Sequence, residues 1–322
     1  MRSYWIVPGA TDVALELRDV PRPEPKEGQL LVAVKATCFN RGEMIVGRGT
    51  HAPAAKTAGG ECAGEIAAIG AGVTGFTLGE RIMGRCAGGF ADFATMDARE
   101  ALRIPARLSW EQAAGIPLSY MVAHDMLVTH GHLKAGEWLL VTAVSSGVGV
   151  ASLQAAKVIG AKVIGTSGSA EKLARLEKLG LDVGVQTRGT GFYERVHEAT
   201  GGKGVNLVVN NVGGTVFAEC VRSLAFEGRL ATVGYLDRTL TAEIDLAALH
   251  AKRLNLFGVS NKLRSPAQRA ETVRAFERDF LPWFADGRLT PVIDRVFDFD
   301  DVPRAHAYFD SDGVIGKVVV RL

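Results

Sequence analysis

Two hydrophobic patterns divide the chain. In residues 1–120, short apolar segments such as QLLVAVKATCF and GGECAGEIAAIG alternate with prolines and glycines, which is typical of strands joined by turns. From about residue 124, apolar runs such as WLLVTAV alternate with amphipathic stretches of helix length such as AEKLARLEKLG. The first pattern predicts an antiparallel β-rich domain and the second predicts an α/β domain with a doubly wound parallel sheet.

The end of the chain returns to the first pattern. Residues 266–287 read as helical, and VIDRVFDFDD and GKVVVRL read as strands. We expect this tail to rejoin the first domain. The expected division is therefore a discontinuous β-rich domain of residues 1–123 and 262–322, with a cofactor domain of residues 124–261 inserted.

Composition narrows the class of protein. The 322 residues carry 37 basic and 35 acidic side chains, so no basic excess argues for a nucleic-acid or anionic membrane partner. There is no basic start followed by an apolar stretch and no run of about eighteen apolar residues, so we expect a cytoplasmic location. The four cysteines are widely spaced, which favours free thiols over a disulfide framework.

A turn of small residues follows the first strand of the cofactor domain. We expect that strand to end at Val144 and a helix to begin at once after the turn. Small residues let the backbone approach a pyrophosphate, and a helix amino terminus supplies free N–H groups and partial positive charge. A strict G-x-G-x-x-G is absent, and a turn packed for steric reasons alone is the alternative, but the strand–helix–strand context favours a dinucleotide. The predicted contacts are Ser145, Ser146, Gly147, Val148 and Gly149.

The next strand decides which nicotinamide cofactor fits. A site for NAD places a carboxylate at the end of this strand, where it would repel a 2′-phosphate. Here Ser167, Gly168 and Ser169 stand in that region, and Lys172 follows one helical turn later. Hydroxyl donors and an ammonium suit a phosphate, so NADPH is the predicted cofactor. The alternative makes Ser169 a helix N-cap and Lys172 a solvated surface charge.

At this point the sequence resembles the medium-chain dehydrogenase/reductase superfamily, and within it the zinc-independent quinone oxidoreductase-like branch. The matching stretches include VPRPEPKEGQLLVAVKA, GGECAGEIAAIGAGVTGFTLGERIMG, HLKAGEWLLVTAVSSGVGVASLQAAKVIGAKVIGT, VNNVGG and GKVVVRL. The resemblance implies a GroES-like β-rich catalytic domain and a Rossmann cofactor domain, with the active site in the cleft between them.

The zinc ligands of the related alcohol dehydrogenases are not found. Asn40 stands where the resemblance places a cysteine, Gly60 where it places a histidine, and Leu118 near the third ligand. None of these residues replaces such a ligand. We therefore expect no metal, and reductase chemistry on an electrophilic quinone or conjugated enone rather than alcohol oxidation.

The resemblance also implies the residues nearest the chemistry. Asn40, in N-R-G-E with Glu43, would donate to the acceptor carbonyl or to the cofactor, with a turn-stabilising role as the alternative. The loop after it, MIVGRGTHAPA, lacks the tyrosine common in this branch, and its Arg48 and His51 are candidates to bind the acceptor. Tyr120 would line the nicotinamide pocket, or else lie in the core.

The resemblance also implies contacts with the nicotinamide and its ribose at the strand ends, where ligands of such sheets bind. Arg188 is expected to cover the 2′-phosphate. The remaining predicted contacts are Asn211, Val212, Gly213, Val233, Gly234, Tyr235, Val259, Ser260 and Asn261.

Three functions stay open from the sequence. The first is an NADPH-dependent quinone or enone reductase, and the second is a 2-enoyl thioester reductase, for which Arg48, Arg264 and Arg269 would form a basic rim. The third is a non-catalytic NADPH-binding redox sensor, since few acid or base groups lie near Asn40 in the sequence. The apolar strand RLNLFGVSN near the end of the cofactor sheet suggests a homodimer.

Overall fold

The hydrophobic patterns correspond to two compact units. The computed structural model describes residues 1–8, 13–44 and 55–322. Residues 1–121 and 265–322 form the first unit, and residues 122–264 form the second. Arg48 and His51 lie outside the described residues.

The first unit contains antiparallel strands built from the short apolar segments. Its strands before the second unit are β1 (Arg2–Pro8), β2 (Val13–Asp19), β3 (Gln29–Cys38), β4 (Lys56–Thr57), β5 (Glu61–Ile69), β6 (Arg81–Arg85), β7 (Phe93–Asp97) and β8 (Ala101–Arg103). Two helices follow, α1 (Trp110–Ala114) and α2 (Pro117–His124), and α2 continues into the second unit. The Ser109 hydroxyl and the Gln112 side chain form a capping box that starts α1.

The second unit is a parallel sheet with helices between its strands. Its elements are β9 (Trp138–Val141), α3 (Gly147–Ile159), β10 (Lys162–Ser167), α4 (Ala170–Glu177), β11 (Val183–Gln186), α5 (Tyr193–Ala199), β12 (Val205–Asn210), α6 (Phe217–Arg222), β13 (Leu224–Thr232), α7 (Leu246–Ala251) and β14 (Asn255–Gly258). The strand order is β11-β10-β9-β12-β13-β14, and every neighbouring pair is parallel. The central strands are buried on both faces, which is why they read as continuous apolar runs.

The chain then returns to the first unit. The returning elements are α8 (Pro266–Asp279), α9 (Leu281–Asp286), β15 (Ile293–Asp298), α10 (Val302–Phe309) and β16 (Lys317–Arg321). The helical reading of residues 266–287 is therefore confirmed. The larger sheet has the order β15-β16-β3-β5-β6-β8, with β7 also paired to β3. In the pairing of β16 with β3, Val319 lies opposite Cys38. Lys317, the first residue of β16, therefore lies beside the end of β3.

No helix in the described ranges is long and apolar enough to cross a membrane.

Candidate functional site

The predicted cofactor contacts of the second unit lie at one edge of its sheet. Because all six strands are parallel, their carboxyl ends lie on the same side. The turn after β9, Ser167 and Ser169 at β10, Arg188 after β11, and the three strand-end groups after β12, β13 and β14 all occupy this edge. The structure thus brings together residues that span more than a hundred positions of the sequence.

The turn after β9 begins earlier than the sequence suggested. The strand ends at Val141 rather than at Val144, because Ala143 takes a left-handed conformation with φ of 49°. The Val144 N–H then bonds the carbonyl of Thr166, so that the turn is tied to the end of β10. Non-glycine residues seldom adopt this conformation, and they tend to mark functional sites.

The first turn of α3 lies close to the end of β9. The Ser146 hydroxyl caps the helix by accepting the Gly149 N–H at 3.1 Å. A Cβ atom on Gly149 would lie 2.6 Å from the carbonyl oxygens of Ala143 and Val144, so only glycine lets the helix start so near the strand. Ser145 to Val148 are only half-buried, which leaves the first turn of α3 accessible.

The end of β10 brings hydroxyl groups and a guanidinium together. A Cβ atom on Gly168 would lie 2.6 to 3.1 Å from the Arg188 side chain, so Arg188 packs directly over this glycine. The Ser167 hydroxyl accepts the Ser169 N–H at 3.3 Å, and the Ser169 hydroxyl accepts the Lys172 N–H at 3.3 Å. Ser169 is therefore the N-cap of α4, as the alternative interpretation held, while its hydroxyl hydrogen remains a donor.

A buried hydrogen-bond network joins the residue after β9 to the end of β12. The sequence did not predict it. The Thr142 hydroxyl accepts the Asn211 N–H at 2.9 Å, and the Asn211 side-chain amide donates to the Thr142 carbonyl at 2.8 Å. The Asn210 amide donates to the Gly213 carbonyl at 2.9 Å. These bonds fix the backbone of residues 211–213, so Thr142 and Asn210 position the predicted contacts. Their only signal in the sequence is that both are polar residues next to apolar strands.

The other strand-end groups differ in exposure. Gly213 has φ of 126° and packs against the Asp237 carboxylate, which accepts the N–H groups of Thr215 and Thr239 at 2.8 Å. Gly234 packs on the Asn211 backbone. The remaining predicted contacts at these ends comprise half-buried Val233, exposed Tyr235, buried Val259, exposed Ser260 and half-buried Asn261.

The first unit contains a buried charge cluster at the ends of β3, β5 and β16. Lys317 is 4% exposed and Glu61 is not exposed, and the Lys317 Nζ lies 2.8 Å from Glu61 Oε1. Nζ also donates to Asn40 Oδ1 at 2.8 Å. Burial lowers the pKa of Lys317, but the Glu61 charge outweighs it and holds that pKa above its ordinary value. The Glu61 carboxylate therefore favours the charged form of Lys317.

Both polar atoms of the Asn40 side chain form hydrogen bonds within this cluster. Its side-chain nitrogen donates to Glu61 Oε1 at 2.8 Å and to Glu43 Oε1 at 3.1 Å, while its oxygen accepts from Lys317. Direct donation to an acceptor, the role suggested by the sequence, requires one of these bonds to break. The contacts themselves make Asn40 a bridge between two carboxylates.

Glu43 is the least satisfied member of the cluster. Its Oε2 is buried with no hydrogen-bond partner among the described residues. Burial and then the neighbouring Glu61 charge raise the pKa of Glu43 to about 7. A Cβ atom on Gly60 would lie 2.7 Å from Glu43 Oε1, so glycine at that position makes room for this carboxyl.

Tyr120 lies in the core of the first unit. It is 2% exposed, and its ring meets that of Phe284 edge-on with centroids 4.9 Å apart. Burial raises the pKa of its hydroxyl well above the ordinary value. These contacts favour the core position, which the sequence left open as the alternative to lining the nicotinamide pocket.

Comparisons with known proteins agree with this architecture. Residues 26–106 match the family model described as "Alcohol dehydrogenase GroES-like domain", and residues 147–277 match "Zinc-binding dehydrogenase". A quinone oxidoreductase-like protein 2 homolog from Nematostella vectensis is 30% identical over 91% of this chain and 81% of its own length. The chain belongs to the quinone oxidoreductase-like branch of the medium-chain dehydrogenase/reductase superfamily. The resemblance and the fold class inferred from the sequence are thereby confirmed.

Two further similar proteins differ in how much of their own length this chain covers. The Escherichia coli quinone oxidoreductase, solved in complex with NADPH, is 25% identical and superimposes with a TM-score of 0.88 over the whole of both chains. A phenolphthiocerol/phthiocerol polyketide synthase polypeptide of Mycobacterium tuberculosis is 32% identical over 98% of this chain. The chain spans only 14% of the length of that synthase polypeptide.

The name of the second family model raises the question of zinc. At the expected ligand positions, Asn40 accepts from an ammonium, Gly60 has no side chain, and Leu118 offers only its N–H to Glu61 Oε2 at 2.8 Å. The Lys317 ammonium already bonds the Glu61 carboxylate that a cation would need. None of the three residues at the expected positions carries a thiolate, imidazole or carboxylate, which are the ligands that zinc prefers. The part of this quinone oxidoreductase-like chain that the structure describes contains no group of three such side chains placed to hold a metal ion.

Proposed function

We propose that this chain is an NADPH-dependent oxidoreductase that transfers hydride to a quinone or a conjugated enone without zinc. The observation that carries the proposal is the end of β10, where Arg188 packs over Gly168 between Ser167 and Ser169, and residues 167–169 contain no carboxylate. The relative from E. coli, which is named a quinone oxidoreductase and binds NADPH, supports it.

The residues of the second unit have distinct binding roles in this proposal. Hydride transfer is the chemistry that NADPH supplies when bound. The N–H groups in the first turn of α3, apart from that of Gly149, which Ser146 caps, would hold the pyrophosphate. Arg188 and the serine hydroxyls hold the 2′-phosphate through charge-assisted hydrogen bonds. The Thr142–Asn211 bonds keep the backbone beside the nicotinamide rigid.

The direct test is an assay of NADPH oxidation over a panel of quinones, enones and enoyl thioesters. We expect turnover with at least one quinone or enone, a strong preference over NADH, and no loss on treatment with a metal chelator. Tight NADPH binding without turnover on any acceptor would instead support the redox-sensor function. Equal rates with NADPH and NADH would contradict the proposal that the end of β10 binds the 2′-phosphate.

Replacing Arg188 by alanine tests the 2′-phosphate contact. We expect KM for NADPH to rise about tenfold, because a guanidinium–phosphate bond is lost, whereas KM for NADH stays unchanged. The matched control is Lys178→Ala, which removes an exposed cation at the opposite end of α4. Steady-state kinetics with both cofactors decide the question, and an equal change for NADPH and NADH would remove Arg188 from the site.

A 2-enoyl thioester reductase is the second candidate function. It is favoured by the 32% identity to a polyketide synthase polypeptide over nearly the whole chain. The positive charge of the basic rim that an enoyl thioester would need is partly neutralised. Arg264 pairs with Asp125 at 3.4 Å, and Arg269 pairs with buried Glu100 at 2.7 Å. Activity with an enoyl thioester that exceeds activity with every quinone would favour this candidate.

A homodimer through β14 is also proposed. This strand pairs with β13 on one side only in the described sheet, and the exposed Leu240 and Leu246 lie shortly before it. We expect light scattering to show a dimer at micromolar concentration, weakened at least about tenfold by Leu246→Asp. Leu78→Asp, at an equally exposed leucine of the first unit, should leave the dimer intact. A wild-type monomer would refute this interface.

A further inference from the structure

We propose that Gly168 and Glu219 are specificity-determining positioning residues, which hold Arg188 where its guanidinium selects NADPH over NADH. Because Arg188 binds the 2′-phosphate in the proposed function, this inference rests on that function. All three residues lie in the second unit. Arg188 is exposed, and a long exposed side chain loses rotamer freedom when it binds a ligand. Contacts that already restrict Arg188 before the cofactor binds reduce this entropic cost.

Gly168 gives the Arg188 side chain room to lie against the end of β10. A Cβ atom on Gly168 would lie 2.6 Å from Arg188 Cγ, 2.9 Å from Nε and 3.1 Å from Cζ, and these are the three nearest atoms. The contact therefore runs along the side chain as far as the guanidinium carbon. Gly168 is not among the glycines with positive φ, so its backbone conformation does not require glycine. The missing side chain makes room for Arg188 rather than for the turn.

The backbone on both sides of Arg188 is held by hydrogen bonds. Before it, the Thr187 N–H donates to the Ser167 carbonyl at 2.9 Å, which ties this residue to the end of β10. After it, the Gly189 N–H donates to the Thr187 hydroxyl at 3.1 Å. These bonds restrict the position of the Arg188 Cα atom, from which the side chain reaches over Gly168.

Glu219, on α6, anchors the rest of the connection between β11 and α5. Its Oε1 accepts the N–H groups of Gly191 at 3.0 Å and Tyr193 at 2.7 Å, and its Oε2 accepts that of Gly191 at 2.8 Å. The N-cap residue of α5, Phe192, makes no side-chain cap bond, so the carboxylate of another helix satisfies the start of α5. Hydrogen bonds to a carboxylate are stronger than those between neutral groups. Loss of Glu219 would therefore release the segment that follows Arg188.

A purely structural role is the alternative for both residues. Glu219 stabilises the start of α5, and Gly168 precedes Ser169, the N-cap of α4. The two roles predict different effects on binding. A residue that only stabilises the second unit affects NADPH and NADH equally, because these cofactors differ only in the 2′-phosphate. A residue that positions Arg188 affects NADPH alone, and its effect disappears when the Arg188 side chain is removed.

The decisive variant is Gly168→Ala, whose methyl group would displace the Arg188 side chain. We expect fluorescence titration to show about fivefold weaker binding of NADPH and unchanged binding of NADH. In an Arg188→Ala background the same substitution should change NADPH binding by less than about twofold. The control is Gly189→Ala, where an added Cβ atom would meet no atom within 4 Å beyond its chain neighbours. This control should leave both affinities unchanged.

Two substitutions of Glu219 test the second positioning residue. Glu219→Ala removes both acceptor oxygens and should weaken NADPH binding about fivefold without changing NADH binding. Glu219→Gln keeps one oxygen, and Oε1 alone now accepts the N–H groups of both Gly191 and Tyr193. We therefore expect Glu219→Gln to bind NADPH within about twofold of wild type.

The possible results distinguish this inference from the proposed function. If Arg188→Ala leaves the preference for NADPH intact, the 2′-phosphate contact is wrong and both fail. If Arg188→Ala lowers that preference but Gly168→Ala and Glu219→Ala change the binding of both cofactors alike, or of neither, only the positioning role is overturned. An undiminished effect of Gly168→Ala in the Arg188→Ala background would also overturn it.

Discussion

Lys317→Met is expected to lower the free energy of unfolding of the first unit by about 3–5 kcal/mol, because it leaves the Glu61 carboxylate buried without a counter-charge. Lys317 and Glu61 are both almost inaccessible to solvent and lie 2.8 Å apart, so water cannot compensate for the lost ammonium. Methionine is close to the lysine stem in length and preserves the packing of the chain. Urea denaturation at pH 7 followed by tryptophan fluorescence is suitable, since Trp5, Trp110 and Trp283 lie in the first unit and only Trp138 lies in the second.

Two companion variants separate charge from packing. Adding Glu61→Gln to Lys317→Met removes the unpaired charge and should recover at least about 1 kcal/mol of stability. Lys35→Met breaks the exposed pair with Glu65 at 3.3 Å and should cost less than about 1 kcal/mol. A similar loss of stability for Lys35→Met and Lys317→Met would mean that burial does not set the strength of the Lys317 pair.

Ser167→Asp is expected to reverse the cofactor preference. The new carboxylate would stand at the end of β10, where it repels a 2′-phosphate and bonds the ribose hydroxyls of NADH. We expect kcat/KM for NADPH to fall about 100-fold and kcat/KM for NADH to rise. An aspartate oxygen can still accept the Ser169 N–H that the Ser167 hydroxyl now accepts, so the turn keeps its hydrogen bond.

Ser167→Asn is the matched control for this change. Asparagine has the size of aspartate without its charge, so its effects on the two cofactors should be small and equal. Fluorescence titration with NADPH and NADH would measure binding apart from turnover. If Ser167→Asp and Ser167→Asn change NADPH binding alike, charge at this position does not select the cofactor.

The second unit could be predicted from the sequence because its central strands, such as β9 and β12, are buried apolar runs. Parallel strands covered on both faces leave this signal, and helices between them leave the longer period. The end of β9 could not be placed from the sequence, because Ala143 adopts a left-handed φ. Only a glycine at that position would have indicated such a conformation. The roles of Thr142 and Asn210 are hidden for a related reason, since they depend on bonds across neighbouring strands.

The charge cluster of the first unit could not be predicted at all. Lys317 and Glu61 are 256 positions apart and meet only through the order of β16, β3 and β5 in the sheet. A motif points to Asn40, but it gives no sign that the side-chain amide is engaged by two carboxyl groups. Tyr120 shows the same limit, because an aromatic residue in an apolar helix suits a pocket and a core equally well. The roles of the predicted site residues stay predictions.

The position of β16 has a consequence for synthesis on the ribosome. Residues 122–264 are contiguous, so the second unit can fold as soon as it has emerged. The first unit needs β16 between β15 and β3, although more than 270 residues separate β3 from β16 in the chain. Until β16 arrives, Glu61 lacks its ammonium, and residues 36–38 at the end of β3 lack the strand with which they pair. We therefore expect the segment before residue 122 to expose these groups while the rest of the chain is translated.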